Sequence, residues 1–155
     1  MTTKEKEQLS RAESNAVAWF EIIAEWETLY DWATNEEEPS ALDWELRKQL
    51  KQLGWDGTDY QAVLDTVTEQ VQEAPLSVQV RSDWQEPGDE LEPAEFRILL
   101  STGGPALRII GSLNHHGMPD GASLQYQDWA TPWTRYWQAS AATLKWFACM
   151  VGVDA

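Results

Sequence analysis

At Pro75 the hydrophobic period of this chain changes, and that change narrows the folds open to it. Before Pro75, apolar residues recur every three or four positions, as on helices. After it they alternate, as on strands, until a last helical stretch at the C-terminus. Helices, then strands, then a helix is the order of an α+β domain, not of an alternating α/β one. At 155 residues the chain suits a single domain with a true core.

The strand half is the clearer. Leu76–Val80 alternates with period two. Phe96–Leu100 and Ala106–Leu113 flank Thr102-Gly103-Gly104-Pro105, which reads as a hairpin. The glycines supply the positive φ of a tight turn. Pro105, lacking an N–H, belongs at the start of its strand. Ala122–Trp129 is a further extended run after the loop 114–121. These runs predict a four-stranded, mostly antiparallel sheet over about 76–137, with helices on one face.

The helical half covers about 4–74. Thr2 with Glu5, and Ser10 with Glu13, each match a capping box, so the first helix begins at one of them and runs to about Thr34. Trp19, Ile22, Ile23, Trp26, Tyr30 and Ala33 form its apolar arc. Ser40 is placed to cap a second helix, Ala41–Leu53, with Gly54 as its stop. Thr58 or Asp59 caps a third, Tyr60–Glu73, which Pro75 ends. The closing helix is expected within about 140–151. Glu36–Pro39 and Asp83–Pro93 read as mobile loops.

Charge bears on function. Twenty-six Asp and Glu stand against 11 Lys and Arg, a formal charge of −15. That excess opposes direct binding to nucleic acid or to an anionic membrane, both of which need a basic footprint. No apolar stretch approaches the roughly 18 residues of a membrane span, and the N-terminal residues carry no apolar core of a secretory signal. The single cysteine, Cys149, excludes a disulfide framework and fits a reducing cytoplasm.

The acids are patterned. Asp65, Glu69 and Glu73 fall at i, i+4 and i+8; Glu21/Glu25 and Glu27/Asp31 repeat the spacing. Like charges so placed destabilise a helix by a few tenths of a kcal/mol each. Glu36, Glu37 and Glu38 follow a helix C-terminus, where the macrodipole disfavours anions. Asp83, Glu86, Asp89, Glu90 and Glu92 crowd one loop. Carboxylates about 5–6 Å apart form a negative ladder comparable to the charge every ~3.4 Å along a DNA strand.

Other chemistries find less support. Asp83, Asp128 and Glu95 lie near Trp84 and Trp129, but paired-carboxylate catalysis needs a cleft that drives two pKa values apart. His115-His116 lacks the further Cys or His of a zinc site, although Asp120 is near. Ser101-Thr102-Gly103-Gly104 has no following Lys and opens a strand, unlike a phosphate loop. The segment 129–137, with Trp133 and Tyr136 at its centre, is either a buried corner of the sheet or an exposed hot spot of Trp, Tyr and Arg.

RILLSTGGPALRIIGSLN, followed by LQYQDWATPWTRY, resembles short acidic proteins encoded by phages, plasmids and genomic islands of proteobacteria. The shared pattern is a Leu-Leu-x-Thr-Gly-Gly-Pro-Ala hairpin and a Gln-Asp-Trp-x-Thr-Pro-Trp-Thr segment, within about 76–137. The resemblance brings no catalytic residue with it and implies a mobile-element setting, where small acidic proteins often inhibit host defence. The expectation is therefore a cytoplasmic, non-enzymatic inhibitor without cofactor or metal. It would bind a basic, nucleic-acid-binding defence complex of the anti-CRISPR or anti-restriction type by mimicking DNA. The alternative is an adaptor using the hot spot at 129–137. A homodimer is compatible with either.

Overall fold

Thr2 caps the first helix through both halves of a capping box: its Oγ1 accepts from the Glu5 N–H at 3.1 Å, and Glu5 Oε2 accepts from the Thr2 N–H at 2.9 Å. The computed structural model describes residues 2–154. Helix α1 spans Thr3–Thr34 and buries Ala12, Ala16, Ile23, Leu29 and Ala33.

The expected second helix is interrupted. A 3₁₀ turn at Pro39–Ala41 is followed by extended backbone at Leu42, α2 at Trp44–Gln49 and a second 3₁₀ turn at Leu50–Leu53. Asp43, not Ser40, caps α2, its carboxylate accepting the Leu46 N–H at 2.9 Å. Leu42, Leu46, Leu50 and Leu53 are nonetheless all buried, and Gly54 stops the segment in the left-handed conformation, φ 88°. Helix α3, Tyr60–Glu73, is capped by Asp59 and runs antiparallel to α1: Trp26 lies beside Gln70 and Trp32 beside Tyr60.

Among the described residues the sheet has five strands, one more than predicted, in the order β1 (Ser77–Ser82), β2 (Pro93–Ser101), β3 (Ala106–Leu113), β4 (Pro119–Gln127) and β5 (Thr134–Arg135). All pairs are antiparallel. β5 is only two residues long, too short for a periodic signal. Helix α4, Ala141–Met150, is capped by Ser140.

Alternation sorts the sheet into two faces. Phe96, Ile98, Leu100, Leu107, Ile109, Leu124 and Tyr126 point inward and join Leu144 and Phe147 of α4 and the buried side of α1 in one core. α3 packs on α1 and α4. Val78 and Val80, opposite Ile98 and Phe96, share the inward face but are 40% and 48% exposed, so the helices stop short of edge strand β1. No helix among the described residues is long and apolar enough to cross a membrane.

Candidate functional site

The patterned acids fall in three places. On α3, Asp65, Glu69 and Glu73 are all exposed; on the neighbouring α1, Glu21 and Asp31 are exposed and Glu25 is half-buried. Glu27 belongs to the interior edge of that layer: its carboxylate accepts from Thr143 Oγ1 at 2.8 Å, in the first turn of α4, where the helix dipole favours an anion.

Glu36, Glu37 and Glu38 are exposed past the end of α1. The turn there is a Schellman motif, with Glu37 N–H on Trp32 C=O and Glu36 N–H on Ala33 C=O. Its left-handed position, usually glycine, is Glu36, with φ 50°. Two side chains tether the loop backbone. Trp32 Nε1 donates to the Glu38 carbonyl and the Tyr60 hydroxyl to the Glu37 carbonyl, both at 2.9 Å. The backbone is thus held from below while the carboxylates stay in solvent. Burial first, then the charges of Glu38 and Glu36, push the Tyr60 phenol above its ordinary pKa.

The third group, Asp83, Glu86, Asp89, Glu90 and Glu92, lies exposed on the β1–β2 connection beside Trp84, which is fully exposed. The acids are therefore divided between the helical layer and one sheet connection. Among the described residues only two ion pairs form, Arg11–Asp128 at 3.6 Å and Arg81–Glu95.

The aromatic segment divides between the two readings, buried corner and exposed hot spot. Tyr136 is half-buried, edge-on to Phe20 at 6.2 Å, and Trp133 is half-buried with the Arg108 guanidinium 4.0 Å from its ring centroid. The exposed members are Trp129 (78%) and Trp137 (73%), the latter beneath Arg135.

The remaining candidates separate. Asp83 is exposed, Glu95 is paired with Arg81, and Asp128 is 1% exposed. Asp128 organises the β4–β5 turn: Oδ1 accepts the Trp129 N–H at 2.7 Å, while Oδ2, with no hydrogen bond, faces Arg11. His115 and His116 are exposed with ring centroids 3.8 Å apart, and no group of three or more His, Cys, Asp or Glu able to hold a metal occurs among the described residues. The Ser101–Gly104 segment is the β2–β3 hairpin. Gly103 takes the positive φ of 87°, whereas Gly104 is required by space, since a Cβ there would collide with the Trp129 indole and the Asp128 carboxylate.

One assembly went unread in the sequence: the outward face of the sheet. The register places Ser77, Leu99, Arg108, Gln125 and Arg135 in one row, then Gln79, Arg97, Ile110 and Ser123, then Arg81, Glu95, Ser112 and Gly121. Every arginine from Ser77 to Arg135 is on this face. Arg81 is paired with Glu95, which raises its pKa first by hydrogen bonding and then by charge. Arg97 and Arg108 have only neutral acceptors: Nε and Nη2 of Arg97 donate to Gln79 Oε1, and Nε of Arg108 donates to Gln125 Oε1 at 2.8 Å. Burial, and then the charge of Arg97, lower the pKa of Arg108. Between these arginines the face forms a trough of about 880 Å³. Period-two alternation of Glu95, Arg97 and Leu99 against Phe96, Ile98 and Leu100 was the available signal.

Comparison with protein-family models, curated proteins and solved structures finds no match to this chain.

Proposed function

We propose that the protein is a non-enzymatic acidic inhibitor of phage or mobile-element origin. It acts in the cytoplasm on a basic, nucleic-acid-binding host defence complex of the anti-CRISPR or anti-restriction type, competing with DNA by presenting carboxylates in its place. The observation that carries this reading is Glu36. An acidic side chain occupies the left-handed position of the α1 terminus, where glycine relieves strain, and at the negative end of the helix dipole. Local stability disfavours it twice. The exposed, unpaired row Asp65–Glu69–Glu73 on the adjacent α3 points the same way.

The test is a pull-down from host lysate with the wild-type chain and with Asp65→Lys/Glu69→Lys/Glu73→Lys. Recovery of a nucleic-acid-binding complex at low salt, lost on charge reversal and falling steeply as salt rises, supports mimicry. Recovery of no such complex sinks it.

The exposure of Trp129 and Trp137 favours a second reading, an adaptor docking through an apolar hot spot. Under it, Trp129→Ala/Trp137→Ala abolishes partner recovery and the α3 charge reversal leaves recovery intact.

A further inference from the structure

We propose that the trough on the outward face of the sheet binds a small anionic molecule, whose phosphate or carboxylate groups are ligated by Arg97 and Arg108. This site is independent of the role given to the acids, of which only Asp83 borders the same face.

Partner choice is the first ground. The chain has 26 carboxylates to offer, and Arg81, one row away, takes one of them. Arg97 and Arg108 instead donate to the amide oxygens of Gln79 and Gln125. An amide oxygen orients a guanidinium without neutralising it, so two like charges remain on adjacent strands. Their register makes them diagonal neighbours, Arg97 opposite Ile110 and Arg108 opposite Leu99. The amide contacts and the Trp133 ring hold the two guanidiniums in place but leave their mutual repulsion uncompensated. An anion between them compensates it.

Donor capacity is the second ground. Each guanidinium has five N–H donors. Arg97 spends two on Gln79, and Arg108 spends one on Gln125 while resting on the Trp133 ring. Both forks are held in place with N–H groups to spare, which suits bidentate recognition of carboxylate or phosphate.

Shape and field set the size of the ligand. The trough, about 880 Å³, has the dimensions of a small-molecule site, with a low floor of Ile110, Ser112, Gly121 and Ser123. At physiological salt, charges beyond about 8 Å are largely screened, so a compact anion between the arginines feels them before the net −15. An extended polyanion would run on past Glu95, which lines this trough paired with Arg81, to Asp83 in the next depression along the sheet. The arrangement thus selects compact anions over nucleic acid.

The experiment titrates the full chain with pyrophosphate, citrate and a hexa-glutamate peptide at physiological salt, by calorimetry and by NMR of the arginine Nε–H groups. Saturable binding of pyrophosphate or citrate, shifting Arg97 and Arg108, is expected, and the stronger of the two identifies phosphate or carboxylate as the natural group. Arg97→Gln and Arg108→Gln each weaken it roughly ten-fold or more, while Arg135→Gln, outside the trough, changes it less than about two-fold. Should Arg108→Gln fold poorly, Arg108→Lys keeps the charge and loses the fork, and binding weakens several-fold. No binding of either small anion below about 10 mM, or binding indifferent to both arginines, overturns the proposal. Tighter, arginine-dependent binding of hexa-glutamate also overturns it, in favour of an acidic chain as occupant.

Discussion

Thr143 Oγ1 donates to Glu27 Oε1 at 2.8 Å, joining the middle of α1 to the first turn of α4 across 116 residues of sequence. Hydrogen bonds to charged groups contribute about 1.5–3 kcal/mol when well buried. Glu27 is half-buried, so Glu27→Ala is expected to cost about 1 kcal/mol. Urea unfolding of Glu27→Ala, Thr143→Val and the double variant should show non-additivity, because each single change already removes the contact. Unchanged midpoints throughout would mean that Glu27 is free for other partners.

Glu36→Gly should stabilise the protein by about 0.5–1 kcal/mol, since glycine takes φ 50° without steric penalty and removes a charge from the negative helix end. Thermal denaturation reads the gain. If the proposed inhibitor role holds, the same change weakens partner binding, so stability and function move in opposite directions.

Glu69→Lys tests the α3 row in the same sense. It replaces two like-charge neighbours, Asp65 and Glu73, with two attractive ones. The expected gain is about 0.5–1 kcal/mol, or a rise in Tm of roughly 1–3 °C for a chain of this size. The rise should shrink in high salt, where surface pairs are screened.

Gly111→Ala should destabilise more than Gly104→Ala. A Cβ on Gly111 meets the Gly121 carbonyl oxygen, which is backbone, and the Phe96 ring, which fills the space a side chain would occupy. At Gly104 the obstacles are the exposed Trp129 indole, which can swing away, and the buried Asp128 carboxylate, which cannot. Overpacking of this kind costs about 1–3 kcal/mol, with Gly104→Ala toward the lower end. Equal denaturation midpoints for the two variants would contradict this account.

Asp56 sets a pH dependence. Backbone N–H groups of Thr58 and then Asp59, followed by the Thr58 hydroxyl, hold its carboxyl below the ordinary carboxylate pKa. A depressed folded-state pKa contributes stability that is full above the unfolded value and lost as pH falls through the folded one. The stability gap between wild type and Asp56→Ala should therefore be constant near neutrality and close in the acid range. A gap that stays open at low pH would assign the turn to something other than the ionised carboxylate.

Strong local signals that agreed with tertiary packing were legible in the sequence. α3 occupies Tyr60–Glu73 and β3 occupies Ala106–Leu113, where period, cap and turn residues placed them. Ser40 and Asp43 are equally good caps by type, and only the extended backbone at Leu42 decides between them. β4 begins at Pro119, within a stretch poor in strand formers, because pairing with β3 overrides propensity. Exposure of the α3 acids followed from the helical period, but Thr143 as the partner of Glu27 did not. The arginine face was half legible: alternation assigned each arginine to a side, yet the neighbours depend on a register that includes an irregularity between Leu99 and Ser101.

Strand order along the sheet is the same as strand order along the chain. Every sheet pairing is therefore a hairpin closure between sequence neighbours, and loop-closure entropy for the sheet is small. The costly closures are those that return α1 to the far end of the chain, Asn15 to Ser101 and Glu27 to Thr143. Such a topology lets the meander assemble early, with docking of the long N-terminal helix as the late step. Mutations at that helix interface should then appear in the unfolding rate more than in the folding rate.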